Sequence, residues 1–137
     1  MGWSKAIAAS FLFTAGLTFP TLGQSIVDRH WPLWGIRFEA MHLVVTADIF
    51  DHRSAQYRGM FLVPVEDGNV LCGWLNWRGD SGGYGPYVAF SFTALRGGVR
   101  EAVVGSLESA GTVPQEVAST GCDPDKLLAT QRGHRLP

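Results

Sequence analysis

The sequence predicts an α+β domain: an N-terminal helix packed on a three- to four-stranded antiparallel β meander, a short C-terminal helix and one disulfide. Three observations lead there. Apolar spacing changes from a helical to a strand period near Arg58. Turn residues then recur between short β-branched and aromatic runs. Finally, two cysteines, Cys72 and Cys122, are available to join the middle of the chain to its last element.

Composition sets the outer bounds. A chain of 137 residues, 46% hydrophobic and 17% charged, makes a single domain with enough apolar side chains for a core, which excludes a disordered polypeptide. Eleven Lys+Arg against twelve Asp+Glu give a net charge of −1. No basic field exists to favour nucleic acid or an anionic membrane surface.

Residues 1–23 read as a signal peptide. Lys5 supplies the positive start, Ala6 to Phe19 is uncharged, and Thr21-Leu22-Gly23 offers small residues ahead of a cut before Gln24. The apolar run is shorter than the roughly 20 residues a spanning helix needs, so no stable membrane span is expected after cleavage. The expected location is periplasmic or secreted. In such an oxidising compartment a Cys72–Cys122 disulfide is the natural fate of two cysteines that lack C-x-x-C spacing.

Residues 24–35, with Trp31, Pro32 and Trp34, read as an extended lead-in, and 36–131 as the single domain. From Ile36 to Phe50 the apolar positions Phe38, Met41, Val45 and Ile49 recur at steps of three and four, a helix period. Val44, Val45 and Thr46 oppose it, because β-branched side chains lose rotamer freedom in a helix. Asp51 then breaks the chain and is placed to cap a short turn. Met60 to Val65, the turn Glu66 to Asn69, and Val70 to Trp77 form a hairpin. In the second arm Val70, Cys72, Trp74 and Asn76 oppose Leu71, Gly73, Leu75 and Trp77, so both faces are apolar and the strand is central. Tyr87 to Thr93 and Val99 to Leu107 are the third and fourth strands, turned at Arg96-Gly97-Gly98. Asp123 with Pro124 starts the terminal helix. Residues 132–137 read as a frayed tail.

One motif imitates an enzyme. Gly79-Asp80-Ser81-Gly82-Gly83 is the string around the nucleophilic serine of chymotrypsin-like proteases, whose backbone N–H groups form an oxyanion hole. Too little chain precedes Ser81 for the two β-barrels those enzymes use; His42 and His52 lie upstream, but His42 sits in the apolar helix candidate and not in the A-A-H-C context of that family. A serine hydrolase using Ser81 with His52 or His42 is therefore the alternative reading. The four histidines are scattered, and only His52 with Asp48 has an i, i+4 spacing, so no metal or other cofactor is expected.

Two further elements stand together. Asp51-His52-Arg53-Ser54-Ala55-Gln56-Tyr57-Arg58 resembles D-P-x-S-A-x-F-R. Cys72-Gly73-Trp74-Leu75-Asn76-Trp77-Arg78, followed by Gly82-Gly83-Tyr84-Gly85-Pro86-Tyr87, resembles C-G-x-V-N-x-K-N-x-x-G-G-Y-x-G-F. Both patterns occur in this order in a group of small exported bacterial proteins of unknown function. Asp51, Ser54, Ala55, Cys72, Gly73, Asn76, Gly82, Gly83 and Tyr84 match directly, whereas His52, Gly79 and Pro86 depart from the pattern. The resemblance implies an export-competent domain with a shared loop and no known reaction.

The physical roles of these residues do not depend on the resemblance. Asn76 at a strand end is suited to bond the backbone of the loop, and Gly82-Gly83 allow positive φ or close approach. Trp74, Trp77, Arg78, Tyr84 and Tyr87 around that loop are the residue types that interfaces use, and form the expected binding surface for an unidentified protein or envelope ligand. The expected role is a non-catalytic binding or accessory domain, with a purely structural envelope component as a further alternative.

Overall fold

A computed structural model describes Ser25–Ile26 and residues 36–135. The expected signal at 1–23 and the lead-in apart from Ser25–Ile26 lie outside the described residues. The elements are β1 (Ser25–Ile26), α1 (Phe38–Val45), β2 (Gln56–Val65), β3 (Gly68–Asn76), β4 (Val88–Leu95), β5 (Arg100–Val104), α2 (Gln115–Ala118) and α3 (Pro124–Arg135). Strands β2 to β5 form the expected antiparallel meander. The short β1 adds a parallel fifth strand at its edge, in the order β1-β2-β3-β4-β5.

The alternation read in β3 is the axis of the fold. Leu71 and Leu75 face one core with Met41 and Val45 of α1 and Phe90 and Phe92 of β4. Val70, Cys72 and Trp74 face a second core with Val117 of α2 and Leu127 of α3. The sheet is thus covered on both sides, and β3 is buried from Val70 to Asn76. In β2 the pairing register shifts between Arg58 and Phe61. This bulge, at Gly59, reverses the parity of the strand. Tyr57 packs in the first core, while Phe61, Val63 and Val65 pack against the second.

The last strand stops at Val104 and not at Leu107, which opens a 3-10 turn, and β2 begins at Gln56 and not at Met60. Three other features also differ from expectation. α1 ends at Val45 and not at Phe50, where the β-branched run begins to weaken the helix and the Thr46 hydroxyl donates back to the His42 carbonyl at 2.6 Å. Asp51 does not cap the 3-10 turn His52–Ser54 with its side chain, because its carboxylate is engaged elsewhere. The terminal helix runs to Arg135, four residues into the segment expected to fray. Its start is as expected: the Asp123 carboxylate accepts from the Asp125 N–H at 3.1 Å.

The disulfide joins β3 to the loop just before α3, with Cα atoms 5.8 Å apart and the cysteines 50 positions apart in sequence. Next to it on the same face, Trp74 Nε1 donates to the Leu127 carbonyl at 2.9 Å.

Candidate functional site

β3 and β4 are joined by a loop that folds as a small hairpin of its own. Gly85 N donates to Trp77 O at 3.0 Å, Arg78 and Tyr84 form an isolated antiparallel bridge, and Gly79 N donates to Gly83 O at 3.0 Å. At the tip Gly82 N donates to Gly79 O at 2.9 Å, with Gly82 at φ 89°. Asp80 and Ser81 project from this tip and are exposed. Underneath, the buried Asn76 donates from Nδ2 to Gly85 O at 3.2 Å, the bond its strand-end position predicted.

The turn before β2 docks onto the same loop. Ser54 is buried; its hydroxyl donates to Asp51 O at 2.7 Å and accepts from Arg78 N at 2.8 Å. The Asp51 carboxylate meets Arg78 Nε at 3.3 Å. Ala55 is sealed in the first core, and Gln56 pairs with Asn76 across the strands. Gly73 leaves the room that Met60 and Phe90 occupy, since a Cβ there would lie 2.7 Å from Met60 Cγ. The two elements that are separate in sequence therefore meet as one supported loop.

The expected surface is only partly assembled. Trp74 has 0% exposure and takes no part in any surface, because its strand parity turns the ring into the second core, where its N–H holds α3. Trp77 packs against the first core, whereas Tyr87 packs against the second and carries the Arg58 guanidinium 3.9 Å above its ring. These two rings thus belong to opposite faces of the sheet and do not converge. Arg78 and Tyr84 remain exposed together on the loop, Tyr84 at 46%. Phe50, which the sequence placed at the end of a helix, is 96% exposed and directly precedes Asp51, so it belongs to the same end of the molecule.

A buried polar pair escaped the sequence reading. His42 Nδ1 and the Tyr57 hydroxyl are 2.7 Å apart, with the Phe38 ring stacked on the imidazole at 5.7 Å. Burial lowers the His42 pKa, helped by the nearby His52 ring, and burial raises that of Tyr57. A signal for the burial of His42, though not for its partner, was present: His42 stands at i+4 from Phe38 on the stripe that includes Met41 and Val45.

This pairing bears on the hydrolase alternative. In chymotrypsin-like enzymes the N–H of the glycine two residues before the serine stabilises the oxyanion. Here that N–H belongs to Gly79 and is spent on Gly83 O, while His42 turns Nδ1 to Tyr57. Asp48 and His52 do not share a helix, since α1 has ended, and no metal-binding cluster occurs among the described residues. None of their helices is long and apolar enough to cross a membrane. No family model, curated protein or solved structure matches the chain.

Proposed function

We propose that this is an exported, non-catalytic binding or accessory domain, acting in the periplasm or outside the cell through the loop that follows β3. The observation that carries the reading is the contrast within that loop. Its base is fixed by Asn76, Ser54 and the Asp51–Arg78 pair, yet Tyr84 and neighbouring Phe50 point to solvent with little packing duty, and the paired Arg78 guanidinium stays half exposed beside Tyr84. A rigid support beneath exposed aromatic and arginine side chains is what a recognition surface needs, because little ordering entropy is lost on binding. The disulfide is consistent with an oxidising location, and the likeness to small exported bacterial proteins points the same way.

The test is site-specific photocrosslinking in the source cells. A photoreactive phenylalanine at Tyr84 is expected to yield a discrete adduct that the same probe at exposed Lys126 does not. Equal patterns at both positions overturn the reading. So does labelling of Ser81 by a fluorophosphonate, which would make the loop a hydrolase site.

A further inference from the structure

β5 is the last strand of the sheet, and its register with β4 decides which of its backbone groups stay open. Leu95 N donates to Val99 O and Gly105 N to Ala89 O, while Thr93 pairs with Glu101 and Ser91 with Val103. In an antiparallel ladder alternate residues exchange both bonds with the partner strand. Positions 99, 101, 103 and 105 therefore face β4, and Arg100, Ala102 and Val104 turn N–H and C=O outward. No backbone partner meets these three on that side among the described residues. Such a row is a template for another strand.

Two grooves flank this edge, one on each face of the sheet. The first, about 300 Å³, lies between α1 and β5 and is lined by Val44, Val45, Ala102 and Trp77, with Asp48 beside them. The second, about 420 Å³, lies between β5 and α2 and is lined by Val103, Pro114 and Val117, with Glu116 beside them. Val104 and Gly105 line both. Side chains of a strand alternate between faces, so successive residues of an added strand enter the two grooves in turn.

We infer that the β5 edge binds an extended segment of a partner polypeptide by strand addition, with adjacent apolar side chains seated one in each groove and Lys or Arg side chains answering Asp48 and Glu116. A second copy of this chain suits the edge less well. Its own Ala102 and Val104 are packed against its first core and Val103 against its second, so pairing two β5 edges leaves the grooves empty. The site adjoins the loop through Trp77 but rests on the β5 backbone, so it stands or falls independently of the loop.

The experiment is selection of random heptapeptides displayed on phage against the oxidised protein. Enriched peptides are expected to carry adjacent apolar residues with Lys or Arg, and their synthetic forms to bind in fluorescence anisotropy. Ala102→Pro should weaken that binding at least tenfold; its N–H points outward, so the change removes no bond to β4. Methylating alternate backbone nitrogens of the peptide should weaken binding as much, a control that needs no folded variant. Tyr84→Ala should leave the affinity unchanged, which separates this site from the loop. The inference is overturned by a lack of enrichment, by affinity indifferent to peptide methylation, or by a dimer in sedimentation that Ala102→Pro abolishes.

Discussion

The two faces of β3 are closed by different means. On one, α3 is fastened by a covalent bond at Cys72–Cys122 and by Trp74 Nε1 on the Leu127 carbonyl. On the other, α1 lies on the sheet through Met41 and Val45, with the buried His42–Tyr57 pair as its polar contact to β2. The first attachment is indifferent to protons and sensitive to reductant. The second is the reverse, because its polar contact holds a neutral imidazole in a place that disfavours charge. One central strand therefore carries two attachments that fail under different conditions.

The largest effect expected is loss of the disulfide. Cross-linking across about 50 residues lowers the entropy of the unfolded chain, worth roughly 4 kcal/mol in the loop-closure estimate. The double variant Cys72→Ala/Cys122→Ala should lose stability of that order in urea titration, and reductant should no longer affect it. If instead the variant matches the parent within about 0.5 kcal/mol, a size typical of neutral surface changes, packing of Trp74 and Leu127 alone holds that face.

Next in size is the polar contact of the opposite face. Tyr57→Phe deletes the hydroxyl and leaves His42 buried without its partner, which should cost about 1–3 kcal/mol. The pH dependence follows from the same group. His42 has its pKa lowered by burial, so the unfolded chain takes up its proton first as pH falls below 6.5. Stability from neutral His42 is full above that pH and declines below it, until the folded protein also protonates. Urea midpoints at pH 8 and pH 5 should differ in that sense, and His42→Gln should flatten the slope. A parent midpoint that holds constant over this range would contradict the assignment. The disulfide variant should keep the slope, since the two attachments lie on opposite faces.

The same contrast explains how much was legible in the sequence. Strict alternation from Val70 to Trp77 shows a strand with two apolar faces, and that pattern places the sheet between two layers. It also grouped Trp74 with Val70 and Cys72, so its burial was implied by the parity that the composition of an interface tempted one to overlook. Asn76 and the Asp123-Pro124 start were readable because each role is local and made by one side chain and nearby backbone. The His42–Tyr57 pair was not, since it joins residues 15 apart on different elements. The first four residues of β2, Gln56 to Gly59, carry little β pattern and are held by pairing with β3 and by the bulge. α2 is a four-residue turn, too short for any periodicity to register.

The smallest effect tests the loop, by setting two adjacent glycines against each other. Gly82 and Gly83 match the same motif, and neither has any atom within 4 Å of where a Cβ would stand. Only Gly82 has positive φ, at 89°. Space is therefore equal and backbone conformation is the one difference, so Gly82→Ala should cost about 1–2 kcal/mol as a left-handed alanine. Gly83→Ala should change stability by no more than about 0.5 kcal/mol. Urea titration of the two variants measures this directly. Equal costs would mean that the tip does not hold the conformation its Gly79–Gly83 and Gly82–Gly79 bonds define, and the rigid support beneath Tyr84 would lose its basis. If Gly83→Ala is silent in stability but weakens crosslinking at Tyr84, then Gly83 is kept bare for what approaches it, because the folded chain makes no demand on that position.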